Sequence, residues 1–225
     1  MISMKLALCS PIGLFQGASV LLLCSLIGSE PVQATLAMPR SESGAAHTHV
    51  LPVFGQQLGF NLPAGWKQAY HEEQAGMFMA EFVPEQEALT QWSALFCVQG
   101  FKDMGKNISP ERFLDTMAET YKSTCDGEVV YQKLGDTEVD GHAGFHAILG
   151  CTAMPNMHGV TPLNPKAYAS TPQGEIGYYT VVSGNKDLYL LHKSMRGAVF
   201  SADKPPLQAD NSQDFISTLV PFSLK

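Results

Sequence analysis

Five cysteines, seven histidines and ten methionines hold most of the nucleophilic and metal-ligating capacity of this 225-residue chain. A thiolate nucleophile needs an imidazole beside it and an accessible sulfur. Cys97 or Cys151 with His142, His146, His158 or His192 supply the residue types, but no local motif gathers them. Gly-x-Ser-x-Gly, His-Glu-x-x-His and a glycine-rich phosphate loop are all missing, and the acidic residues fall mainly in turns and on helix surfaces. No catalytic residue is assigned, and an enzyme is the less favoured reading. A Cys/His site assembled only by the fold is kept as an alternative.

Metal ligation gives a similar result. His142 and His146 share one face of a predicted strand, but an even separation of four residues puts them about 13 Å apart, too far for one ion. His47-Thr48-His49 could chelate a metal adventitiously, but it lies in a tail that need not fold. Met154, Met157 and His158 form a softer group, and Met77 and Met79 share a strand face; thioether and imidazole suit Cu(I) in an oxidising compartment. Methionine is more often used to fill irregular gaps in a core. No metal site and no cofactor is therefore assigned, and a periplasmic soft-metal (copper) binding protein stands as a further alternative.

The chain has to deliver these residues somewhere, and its N-terminus says where. Between Lys5 and Glu30 there is no charged side chain, and Val20 to Ile27 is the apolar maximum. With Glu30-Pro31 and the small-residue pattern Val32-Gln33-Ala34, residues 1–34 read as a signal peptide cleaved before Thr35. An uncleaved anchor is disfavoured by Pro11, Gly13, Gln16 and Gly17, so no stable membrane insertion is expected after cleavage. The predicted location is the periplasm or the extracellular space. A net charge of −7 gives no basic field for nucleic acid.

Export makes disulfides permissible. The mature chain keeps Cys97, Cys125 and Cys151. Ser109-Pro110-Glu111 is a cap, a proline at the first helical position and a first-turn acid, so a helix is predicted from Pro110 to Thr124, with Cys125 at its exit. Cys151 closes a predicted strand from His142. The expected bridge is Cys125–Cys151, pinning helix to sheet, while pairing through Cys97 or three reduced thiols are the alternatives.

Strands are predicted at Leu58–Leu62, Met77–Val83 and Trp92–Phe101, the last apolar on both faces and hence central. Glu128–Gly135 and His142–Cys151 join around Val139-Asp140-Gly141, and Glu175–Ser183 and Asp187–Lys193 around Gly184-Asn185. A closing amphipathic helix is expected over Ser212–Leu219. Residues 35–53 lack periodicity and read as a flexible leader, leaving 54–225 as one domain. Strands, one long helix, two hairpins and a short helix make an α+β fold on an antiparallel sheet.

The Gly59-Phe60-Asn61-Leu62-Pro63-Ala64-Gly65-Trp66 opening, Asn107-Ile108-Ser109-Pro110 before the long helix, the Val139-Asp140-Gly141 turn and the Gly184-to-Leu190 hairpin carry a resemblance. In order of elements, roughly residues 57 to 222 resemble the PsbP-like fold, shared by the photosystem II extrinsic subunit, the Ran-binding Mog protein and small exported bacterial proteins. The resemblance implies an antiparallel β-sheet sandwiched by helices and a binding or assembly role without chemistry. It supplies no catalytic residue.

Thr152 to Gly174 holds four of the 14 prolines, has no period, and joins two strands that a short turn would connect. Met154, Met157, His158, Leu163 and Tyr168 are its candidate recognition residues, and a protein is the expected partner.

Overall fold

A computed structural model describes residues 47–155 and 172–225. In chain order the elements are β1 (His47–Val53), β2 (Gln56–Leu62), β3 (Trp66–Gln74), β4 (Met77–Pro84), β5 (Ala94–Phe101) and α1 (Pro110–Thr124). They continue with β6 (Val129–Val139), β7 (His142–Met154), β8 (Gln173–Ser183), β9 (Leu188–Gly197), α2 (Ser212–Ile216) and β10 (Ser223–Leu224). The expected signal peptide and the leader up to Ala46 lie outside the described residues. Among those described, no helix is long and apolar enough to cross a membrane.

Local chemistry accounts for the best-defined elements. The Ser109 side chain accepts a hydrogen bond from the Arg112 N–H at 3.2 Å and Pro110 occupies the first turn. Phe113, Leu114, Met117, Ala118 and Tyr121 make the buried stripe of α1. Asp140 and Gly141 both have positive φ (50° and 81°), the backbone of a type I′ turn whose twist matches the strands it joins. Ala75 and Gly76 repeat that geometry between β3 and β4 (50° and 81°).

All pairing in the large sheet is antiparallel, in the order β3-β4-β5-β9-β8-β7-β6. β5 is interior and buried along its whole length, which explains its two apolar faces. α1 covers one face, packing on Phe145, Ala147 and Leu149 of β7, Tyr179 and Val181 of β8, and Leu188 and Leu190 of β9. A second sheet, β1-β2-β10, covers part of the opposite face over Phe78, Phe82, Phe96, Val98 and Leu191. α2 covers the rest of that face, where Phe215 and Ile216 meet Ile148, Ile176 and Met195.

The architecture is therefore α+β, with one large antiparallel sheet and one main helix. Helices on both faces are only part of the expected sandwich, because a three-stranded sheet does much of the covering opposite α1. His47–Val53 corrects the leader assigned to 35–53: these seven residues pair with β2 from His47↔Leu62 to Val53↔Gln56. Backbone hydrogen bonding orders them despite mostly exposed side chains, so they lack the apolar alternation that marks a half-buried strand. The closing helix ends at Ile216, short of Leu219, although Leu219 is buried.

Candidate functional site

Alternation on β5 puts Phe96 and Val98 under the small sheet and Cys97, Gln99 and Phe101 on the α1 face. Cross-strand register then sets Cys97 opposite Glu81 of β4 on one side and His192 of β9 on the other. His192 in turn lies opposite Tyr179 of β8, and their rings stack with centroids 4.5 Å apart. The Tyr179 and Tyr121 hydroxyls share a hydrogen bond of 2.7 Å, which ties α1 to the row. A line of carboxylate, thiol, imidazole and phenol thus crosses four strands. Gln99 donates to the Cys97 sulfur at 3.7 Å.

The row continues towards the ends of the 155–172 connection. Tyr121 donates to Glu175 Oε1 at 3.4 Å, and Arg196 Nη1 pairs with Glu175 Oε2 at 3.0 Å, the two side chains being 2% and 14% exposed. Arg196 also donates through Nη2 to the Met154 carbonyl at 2.8 Å and through Nε to Gln173 Oε1 at 3.3 Å. Its guanidinium stands over the Trp92 ring, 5.5 Å from the centroid. Burial raises the Glu175 carboxyl above its ordinary range, against the opposing pull of Arg196 and Tyr121. Burial likewise lowers Arg196, against the pull of Glu175.

The structure joins Cys125 to Cys151 with their Cα atoms 5.7 Å apart, so the exit of α1 is fixed to β7 three residues before Met154. Cys97 keeps its thiol and is completely buried. Among the described residues, of the formal Cys/His pairs only Cys97 and His192 are brought opposite each other. A nucleophile must reach its substrate, and at 0% exposure this sulfur does not. His146 is on the opposite face, where its Nδ1 is hydrogen-bonded to the Tyr178 hydroxyl. His142 contacts Gln56.

Met154 is not a surface recognition residue. β7 extends three residues beyond Cys151, and Met154 packs into the core beneath α1 with 5% of its surface exposed. The apolar character that marked it as a contact residue is satisfied inside the domain. Met157, His158, Leu163 and Tyr168 lie outside the described residues.

Glu175, Arg196, Tyr121 and Tyr179 were not singled out by their sequence context. The observed β8–β9 pairing starts at Ser183↔Leu188 and so places Tyr179 opposite His192 and Glu175 opposite Arg196, whereas the predicted strand ends, Ser183 and Asp187, would shift every pair by one position and to the other face. The Cys97–His192 pairing has no sequence signal, because it depends on β5 meeting β9.

No family model matches the chain. No curated protein matches it either. Among solved structures, it is similar to the Ran-binding protein Mog1p of Saccharomyces cerevisiae, with 10% identity, coverage of 76% of this chain and 85% of that one, and a TM-score of 0.40. It is also similar to the cyanobacterial PsbP of Synechocystis, with 11% identity, coverage of 79% and 89%, and a TM-score of 0.40. These are likenesses of fold, the Mog1/PsbP-like fold, at low identity.

Proposed function

We propose that the protein is an exported domain that works by binding or assembly rather than by chemistry, in the cell envelope or outside it, and that its partner is a protein. The observation that carries this reading is the anchoring at both ends of the 155–172 connection. Cys151 is stapled to α1, and Arg196 holds the Met154 carbonyl, Gln173 and Glu175 in one buried cluster. A connection rooted this firmly suits the presentation of contact residues from a rigid scaffold. Met157, His158, Leu163 and Tyr168 are the proposed contacts. The signal-like residues 1–34 and the disulfide support export.

Two measurements test the reading. Protein recovered from the producing cell should begin at or near Thr35 and yield a Cys125–Cys151 peptide under non-reducing conditions. A membrane-bound species retaining Met1 replaces export with anchoring. Replacing residues 157–170 by a short Gly/Ser turn should then leave the thermal midpoint within a few degrees, because loop closure depends weakly on length. It should also remove the partner that the mature protein captures. Capture of the same partner by the folded, shortened variant places recognition elsewhere.

A further inference from the structure

The sheet face opposite α1 has two covers, and a groove remains at their seam. Val139 and Phe222 belong to the core under the small sheet, Ile216 and Val220 to the core under α2. The groove between them is open, holds about 320 Å³, and is lined on the large sheet by Thr137 of β6, His146 of β7, and Tyr178 and Thr180 of β8. Register places His146 directly opposite Thr180. The Tyr178 hydroxyl is the hub: it is hydrogen-bonded to His146 Nδ1, with the Thr180 and Gln213 side chains as further partners. Those two counter the rise that burial imposes on the phenol, which is the effect of donors to its oxygen. Tyr178 therefore gives its own proton to Nδ1, and the imidazole proton stays on Nε2. Among the described residues that Nε2 has no hydrogen-bond partner, and it is not enclosed.

We propose that this groove binds one neutral pyranose ring, with His146 Nε2–H, the Thr137 hydroxyl and the Gln213 amide as its polar contacts and Phe222 beside its C–H face. The lining selects against charge. It holds no lysine or arginine, so a phosphate or carboxylate meets no counter-charge there. Its one acid, Glu138, is exposed, and screening by water leaves it little hold on a cation. Burial keeps the His146 imidazole neutral in neutral solution. Hydroxyl, amide and imidazole groups that donate or accept without charge match the hydroxyls of a sugar, which do both. Val220, Pro221 and Phe222 supply the apolar wall that a ring edged with C–H bonds needs. The volume lies at the low end of the range of about 300–1,000 Å³ usual for small-molecule sites, room for one ring rather than a chain. The mutual hydrogen bonds of His146, Tyr178 and Thr180 hold the floor in place before the ligand arrives.

The probes are the methyl glycosides of glucose, galactose, mannose and N-acetylglucosamine, added to the mature, disulfide-bonded protein and followed by saturation-transfer and proton–nitrogen NMR. At least one should bind, with transfer strongest to the C–H protons of one ring face, and should shift the His146 Nε2 resonance, which is protonated in the free protein. His146→Phe keeps a ring but loses the donor and should weaken binding about tenfold. Gln213→Met, at an exposed position on α2, and Phe222→Leu, which removes the flat ring, should each weaken it about threefold or more. His71→Gln, on β3, and replacement of residues 157–170 should leave it unchanged. Failure of every glycoside to bind overturns the proposal, as does a His146 ring protonated on Nδ1. Tighter binding of glucose 6-phosphate than of methyl glucoside overturns it too, because the site would then favour an anion. Loss of binding in the 157–170 replacement moves the site to that segment and has the same consequence. If His146→Phe unfolds, Gln213→Met and Phe222→Leu decide: unchanged affinity in both overturns the proposal.

Discussion

The sheet face beneath the small β1-β2-β10 layer is closed by aromatic rings, whereas the α1 face sets a row of buried polar groups beside the apolar core under the helix. Under the small layer Phe60, Phe82, Phe96 and Phe222 interlock, with Phe96 4.8 Å from Phe60, 6.0 Å from Phe82 and 6.3 Å from Phe222. On the α1 side the same strands present Glu81, Cys97, Gln99, His192 and Arg196. Apolar burial stabilises a fold without further conditions, whereas each buried polar group has first to recover the water it loses. A chain selected for stability alone has little use for the second arrangement. The α1 face is consequently the one whose composition calls for a functional explanation.

Truncation of Phe96 should have the largest effect. Its ring is fully buried and touches three others, so Phe96→Ala is expected to cost about 3–5 kcal/mol in denaturant unfolding. A loss below about 1 kcal/mol would mean that the aromatic layer is not the stabilising half. The α1 face should respond differently. Arg196→Met alone leaves Glu175 buried without its cation and should cost about 3 kcal/mol or more, while Arg196→Met with Glu175→Leu should recover most of that loss. If the double variant is no better than the single one, the arginine contributes chiefly through Trp92, Gln173 and the Met154 carbonyl, and the charge pair is secondary.

The same division explains what was legible in the sequence. α1 is readable because Ser109, Pro110 and its stripe are local signals, and its predicted limits, Pro110 and Thr124, are those observed. β5 is readable because an interior strand is apolar on both faces. β3 is missed for the opposite reason: it is a sheet edge, and Lys67, Gln68, Glu72, Glu73 and Gln74 point charge or amide to solvent, so no alternation survives. β1 is hidden likewise, being ordered by its ladder to β2. On the α1 face, Glu175 meets Arg196 only because the β8–β9 loop is one residue longer than the predicted strand ends imply, and Cys97 meets His192 only through strands 95 positions apart in the chain. Long-range pairing of that kind leaves no periodic trace.

The smallest expected effect sharpens the comparison through pH. His146 sits away from α1, in a groove of about 320 Å³ whose walls include Glu138, Tyr178, Gln213 and Phe222. Burial holds its imidazole below the ordinary value of 6.5. As pH falls through 6.5 the unfolded chain takes up this proton first, so stability drops until the depressed folded value is passed and is constant below it. Glu175 on the other face has the reverse sign. Its folded value is raised above 4.5, so the folded chain takes up that proton first and stability rises as pH falls towards 4.5. Unfolding measured from pH 7.5 downward should therefore show a flatter acid-side decline in His146→Gln than in the parent, and a steeper one in Glu175→Gln. Parallel curves for His146→Gln and the parent would remove the imidazole as the cause. A flatter curve for Glu175→Gln would mean that Arg196 outweighs burial, and that the polar face favours the charged carboxylate after all.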